Sequence, residues 1–314
     1  MALFQKVRAV REYVLKHGMG PTARFYIKRL LGIPDYSEQI DTLYYFLNEY
    51  VDITQVPRAD GLLRAGQENE ALLLRIFDGI CRANSLQYTL AFGTLLGAVR
   101  HKGFIPWDDD VDVFMPREDF EALKEVLTNS VLNTGEKIYI NPSPSFESIG
   151  IGYKDFGVWL DVFPLDSVCT DLSYPEFIAR PEGSLRRHSA KANHGNFSWD
   201  RSRNLYTQLV EPSFSSGSSK YLIRYFPNLA VADTLVFPVD AVLPASELAF
   251  EGHDLSAPAK PEVCCEVMFG KDYMKFPRYG ILRHSSDNSV APSMDALLSW
   301  RLELESLLEA QRTS

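Results

Sequence analysis

Four carboxylates crowd into five positions at Asp108, Asp109, Asp110 and Asp112. Carboxylates this close raise one another's pKa, and a divalent cation among them removes the repulsion. Asp110 and Asp112 stand two apart where Val111 to Met115 reads as a strand. Residues i and i+2 of a strand project from one face, about 6.6 Å apart along the backbone, so both can converge on one ion. Val111 and Val113 then point into a core that anchors the pair. Asp108 is a further ligand candidate. Hard oxygen donors select Mg2+ or Mn2+ over softer metals. A solvated acidic loop is the competing reading, and the apolar residues between the acids argue against it.

Two-ion sites usually draw on a third carboxylate. Asp161 is the best candidate, an isolated acid in Val158-Trp159-Leu160-Asp161-Val162-Phe163-Pro164. An acid embedded in such an apolar strand is costly to bury without a cation. Asp166, just beyond, reads as a turn residue. Upstream, Gly93-Thr94 follows a short strand candidate, Tyr88 to Phe92, and opens a helix through Val99 with Thr94 as its cap. A helix N-terminus offers open N–H groups to phosphate, and glycine permits close approach. Arg100, His101 and Lys102 form a basic triplet that can clamp a diphosphate or neutralise Asp108 and Asp109. Trp107 and Phe104 are placed to wall a donor pocket.

The remaining elements must hold these residues. Residues 37–50 and Leu62 to Ala83 read as helices, as do Arg117 to Leu127 and Pro258 to Phe269. Lys137 to Ile140, Ile149 to Tyr153 and Val158 to Phe163 read as strands, and Phe237 to Leu255 as strand and hairpin. The succession of helices and strands reads as α/β (α+β). After the HSSDNSVAP stretch at His284 to Pro292, Leu297, Trp300, Leu304 and Leu308 line one side of a final helix, docked on the body or on a partner. The organisation expected is a basic helical extension at 1–60, a catalytic domain at 61–277, and a linker with an amphipathic helix at 278–314.

The 314 residues carry a net charge of −9, unevenly placed. Residues 1–32 hold seven Lys or Arg against Glu12, or +6, which leaves −15 for the rest. An acidic body repels polyanions and argues against nucleic-acid binding. The basic amphipathic segment 1–32 can meet anionic lipid, or it can pack on protein. No apolar run is long enough to span a bilayer, and the N-terminus does not read as a secretory signal. The expected location is therefore cytoplasmic, with room for peripheral contact on the inner face of the membrane. The four cysteines form no CxxC pair, and Cys264-Cys265 reads as half-buried helix.

The run GTLLGAVRHKGFIPWDDDVDVFMPRED, from Gly93 to Asp119, closely resembles the LicD family of phosphocholine transferases, which is similar to fukutin and the fukutin-related protein. Asp161-Val162-Phe163-Pro164-Leu165-Asp166, Phe250-Glu251-Gly252 and Phe269 to Pro277 resemble later family segments, with Phe269 where the family usually has Tyr. The resemblance covers about residues 70–277. It implies a nucleotidyltransferase-like core, a mixed sheet flanked by helices, in which Gly93-Thr94 matches the Gly-Ser/Thr turn. Asp110 and Asp112 match the paired ligands, and Asp161 the third carboxylate. It further implies a Mg2+-dependent phosphotransferase with CDP-choline or a related CDP-alcohol as donor. The acceptor implied is a glycan or glycolipid of the teichoic acid or lipopolysaccharide kind, and the product CMP. CDP-ribitol or polyol phosphate transfer, nucleotidyl transfer with release of pyrophosphate, and a non-catalytic scaffold are the alternatives.

Overall fold

A computed structural model describes residues 37–129, 138–143, 148–153, 158–169, 173, 175, 221–227, 232–277 and 292–313. The basic segment 1–32, most of 184–226 and the linker up to residue 291 lie outside the described residues. The chain divides into two compact units, 1–55 and 56–314. In the first, helix α1 (Ser37–Tyr50) precedes a short 3-10 turn, Ile53–Gln55. Its apolar spacing predicts the helix, yet Ile40, Leu43 and Phe46 are 51%, 58% and 53% exposed.

The second unit is α/β. Helix α2 (Gly61–Ala83) leads into β1 (Thr89–Leu90), α3 (Phe92–His101), β2 (Val111–Pro116) and α4 (Arg117–Asn129). Then come β3 (Ile138–Ser143), β4 (Ser148–Tyr153), β5 (Val158–Val168), β6 (Tyr221–Pro227) and β7 (Ala232–Pro238). These strands form one sheet in the order β1-β2-β5-β4-β3, with β6 and β7 continuing from the far end of β5. A short helix α5 (Val239–Val242), the hairpin β8 (Ser246–Phe250) and β9 (His253–Ala257), and helices α6 (Pro261–Phe269) and α7 (Met294–Thr313) complete it.

β2 and β5 are parallel, and the other pairs of the sheet are antiparallel. A parallel pair needs a crossover, here α4 with β3 and β4. Its register sets Asp112 beside Asp161. Val111, Val113, Leu160 and Val162 alternate with these acids and are fully buried, so the apolar positions lock the register that juxtaposes the carboxylates. Burying each such side chain contributes about 1.5–3 kcal/mol.

Several sequence-based boundaries shift. β1 is only two residues long, and α3 starts at Phe92 with Ala91 as its cap residue, so Thr94 lies inside the first turn rather than capping it. Asp110 immediately precedes β2. β5 runs on to Val168, which makes Asp166 a strand residue, not a turn residue. Pro164 sits where β5 changes partner from β4 to β6, the point at which a missing N–H costs little. Asp166 is buried there, and Arg117 at the start of α4 donates to both its oxygens, at 2.7 and 2.9 Å.

α7 docks on α2. Asn69 donates to the Leu297 carbonyl at 2.9 Å, and Arg301 pairs with Glu68 at 2.6 Å. Tyr153 of β4 donates to Glu303 at 2.7 Å. Leu297, Leu304 and Leu308 are buried, as the leucine spacing predicts. Cys264 and Cys265 are buried on α6, and burial pushes both thiols up to about 12. They are core residues, more deeply enclosed than the half-buried helix expected. Among the described residues no helix is long and apolar enough to cross a membrane.

Candidate metal and phosphate site

The acidic run is gripped from three sides. Gln67 of α2, itself buried, donates to the carbonyls of Ile105 (3.3 Å) and Asp108 (2.9 Å). The β8–β9 turn supplies Glu251, whose side chain accepts from the Phe104 N–H at 3.2 Å while its own N–H bonds the Lys102 carbonyl at 3.0 Å. Arg64 and Arg58 fasten the same carboxylate at 2.7 and 3.3 Å. Burial alone would raise the Glu251 pKa, but Arg64, the Phe104 N–H and Arg58 together hold it below the ordinary value. Glu251 takes a φ of 49° and Gly252 one of 79°. The left-handed pair forms a tight hairpin turn, and a non-glycine residue there is tolerated because these bonds fix it.

α3 presses on the run from the third side. A Cβ at Gly93 would run into the Asp108 carboxylate, and one at Gly97 into the Gly103 carbonyl. At Gly97, where the obstacle is backbone, only glycine lets the helix approach so closely. The Thr94 hydroxyl is buried and accepts the Asp112 N–H at 2.8 Å, which ties the turn to the first residues of β2. The first helical bond of α3 runs from the Leu95 N–H to the Ala91 carbonyl. The N–H groups of Gly93 and Thr94 precede it and have no carbonyl partner within the helix. Phe92 adopts a φ of 38°, rare for an aromatic residue, with its ring wedged edge-on against Phe114 (4.9 Å) and Phe163 (5.5 Å).

Asp108, Asp109 and Asp110 each bring one oxygen within 4.8 Å of the others. Asp112 is buried, and burial, then Asp110, Asp161, Asp108 and Glu70 raise its pKa well above the ordinary value. Asp110, Asp112 and Asp161 therefore share one electrostatic neighbourhood, with Asp112 and Asp161 side by side on one face of the sheet. Burial, with Asp110 and Asp109, pushes Asp108 up to about 7, against the opposing effect of Arg100. The Asp108 Oδ2 is buried without a hydrogen-bond partner among the described residues. A buried, unsatisfied carboxylate oxygen in a cluster of hard donors suits a divalent cation.

The basic triplet is divided in its placement. Arg100 is 7% exposed, donates to the Tyr273 carbonyl at 2.9 Å, and has its pKa lowered by burial to about 10. Cys265 and Asp108 are its electrostatic partners. Lys102 is exposed and left-handed at φ 57°. Trp107 is half-buried and stacks on Phe276, centroids 6.3 Å apart and 20° from parallel. Phe104 is buried against Phe250 at 4.9 Å and belongs to the core, not to a pocket wall. Trp159, half-buried two residues before Asp161 on the same strand face, lies across Gly150.

Sequence reasoning passed over Glu70. It ends the polar run Gln67-Glu68-Asn69-Glu70 of α2, yet it is buried, and burial, then Asp110, Asp109 and Asp108 raise its pKa well above the ordinary value. The available signal was helical spacing: Gln67, Glu70 and Leu74 share the face of α2 that carries Leu73 and Phe77 into the core.

Residues 85–166 match the LicD/FKTN/FKRP nucleotidyltransferase domain. The lipopolysaccharide cholinephosphotransferase LicD of Haemophilus influenzae is 48% identical over 54 residues, 17% of this chain and 20% of that protein. The uncharacterized protein RP689 of Rickettsia prowazekii is 50% identical over 44 residues, 14% of this chain and 16% of that protein. The chain thus matches about a fifth or less of the length of these relatives. A STING-associated CdnE c-di-GMP synthase from Capnocytophaga granulosa aligns over 88% of this chain and 93% of its own at 11% identity. Its TM-score is 0.23, too low to bear on the fold. The aspartate run, the α3 turn that grips it and Asp161 all fall within residues 85–166, the part of the chain that is similar to the LicD/FKTN/FKRP nucleotidyltransferase domain.

Proposed function

We propose that the chain is a metal-dependent phosphotransferase. It moves phosphocholine, or a similar alcohol phosphate, from a CDP-activated donor to a sugar hydroxyl of a cell-surface glycan precursor and releases CMP. The observation that carries this reading is the cluster of Asp108, Asp109 and Asp110 beside the open first turn of α3, next in the chain to Asp112, which the β2–β5 register sets beside Asp161. Asp108, Asp110, Asp112 and Asp161 would hold Mg2+ or Mn2+. A cation held there would supply charge neutralisation for the phosphoryl oxygens. The similarity to a lipopolysaccharide cholinephosphotransferase supports the donor and acceptor classes.

The chain's own groups do the positioning. Backbone N–H groups of Gly93 and Thr94 orient the donor diphosphate, and Lys102 contributes positive charge at the other end of α3. Trp107, with Phe276 behind it, offers a flat apolar surface that excludes water from one side. Asp161 accepts the proton of the acceptor hydroxyl as its oxygen attacks the distal phosphorus in line. The P–O bond to CMP breaks as the new P–O bond forms. The basic segment 1–32 keeps the enzyme near anionic lipid, where a glycolipid acceptor resides.

The test is incubation of the chain with Mg2+ and a panel of CDP-choline, CDP-ribitol and other CDP-alcohols, with nucleotide products separated by chromatography. CMP release from one donor, and thermal stabilisation by it, is the expected result. Release of pyrophosphate from a nucleoside triphosphate instead would make the chain a nucleotidyltransferase, as the name of the matched domain suggests. Absence of both products, together with absence of metal binding, would leave only a scaffold.

A further inference from the structure

Glu70 is 6% exposed, and its Oε2 has no hydrogen-bond partner among the described residues. The groups that act on it electrostatically are Asp110, Asp109 and Asp108, all of its own sign, and it acts in turn on Asp112. Such a side chain is costly to bury, and two of its neighbours show that it is not there by slack packing. Gln67, one turn earlier on α2, is bonded to the carbonyls of Ile105 and Asp108, so this face of the helix lies along the acidic run. Asn69 is bonded to the Leu297 carbonyl and Glu68 paired with Arg301, so α7 holds α2 in place from the other side. A carboxylate carried by a doubly fastened helix and enclosed with three like charges lacks one thing, a cation.

We propose that Glu70 is a further ligand of the divalent ion, contributed from outside the matched domain, which begins at residue 85. The inference rests on the metal-dependent reading above and adds a helix to it. α2 supplies both the clamp on the loop, through Gln67, and a donor to the ion, through Glu70. The ion then fastens the matched domain to α2 and, through α2, to the C-terminal helix α7.

The test uses the full chain, stripped with chelator, with Mn2+ titrated by calorimetry and melting followed with and without Mn2+. In Glu70→Gln the metal-free protein should melt several degrees higher than wild type, because a repelling charge is gone. Its Mn2+ affinity should fall at least about tenfold, and the rise in Tm on adding Mn2+ should shrink accordingly. Glu70→Asp keeps the charge but withdraws it by one methylene, and should weaken Mn2+ several-fold even if the Gln variant fails to fold. Unchanged Mn2+ affinity in a folded variant would overturn the assignment of Glu70 while leaving the metal-dependent function standing. A wild-type chain that binds no Mn2+ would overturn both.

Discussion

Two sets of buried carboxylates in this molecule meet opposite fates. Glu251 and Asp166 sit at structural joints, and each is bound by arginine, Glu251 by Arg64 and Arg58, Asp166 by Arg117 through both oxygens. Asp108, Asp112 and Glu70 are enclosed to a similar degree, yet their strongest electrostatic neighbours are other acids. The same functional group serves once as a latch and, on the metal-dependent reading proposed above, once as an unfinished coordination sphere. Arg64 and Arg58, through Glu251, also fasten residues 102–104 just ahead of the acidic run.

The contrast is broken most sharply at Asp112. Asp112→Ala should lower transferase turnover by about 10³-fold or more, the scale of losing a principal electrostatic group at a reacting phosphoryl centre. Its metal-free melting temperature should not fall, since the residue removed repels its surroundings. Retained CMP release in this variant would refute the mechanism. Arg117→Ala should do the reverse. It strands the buried Asp166 charge and should cost about 3 kcal/mol of stability in denaturant melts, with Mn2+ affinity nearly unchanged. A smaller effect belongs to Glu251→Gln, which loosens the latch on residues 102–104. A loss of about 1–2 kcal/mol is expected, with a several-fold weaker metal site because the loop is less well placed.

Much of this was legible in the sequence, and the rest had physical reasons to stay hidden. The acidic run, the Gly-Thr turn and Asp161 announce themselves because acids between apolar strand residues are costly and therefore conspicuous. α2, α4, α6 and α7 follow from their periodicity to within a few residues. The start of α3 was misplaced because Phe92 enters it with a positive φ, a conformation that ring packing on Phe114 and Phe163 imposes and that local propensity disfavours. Asp166 was read as a turn residue because it lies just past the apolar stretch that ends at Pro164, whereas β5 runs on through its exchange of partner strands. Glu70 and Glu251 were not assigned to the site because their neighbours lie far along the chain. Glu70 faces residues about 40 positions away, and Glu251 grips a loop nearly 150 positions upstream.

The finest comparison is titration, because the two sets should respond to pH with opposite signs. Glu251 has its pKa depressed, so its contribution to stability is present above the ordinary glutamate value and is lost as pH falls through the depressed one. Asp108 has its pKa raised from 3.8 to about 7. In the folded chain it stays protonated where the unfolded chain has already released the proton, so its contribution is full below pH 3.8 and disappears as pH rises to about 7. The metal-free protein should therefore lose stability between about pH 4 and pH 7, a window in which most proteins are flat or gaining. Saturating Mg2+ should flatten that slope, because the ion replaces the proton as the neutralising charge, and Asp108→Asn should reduce it without metal. The Glu251→Gln variant should keep the slope between pH 4 and 7 and lose only part of the acid limb. A metal-free stability curve that rises steadily from pH 4 to pH 7 would mean that the acidic set is neutralised by protein groups after all, and the distinction between latch and coordination sphere would disappear.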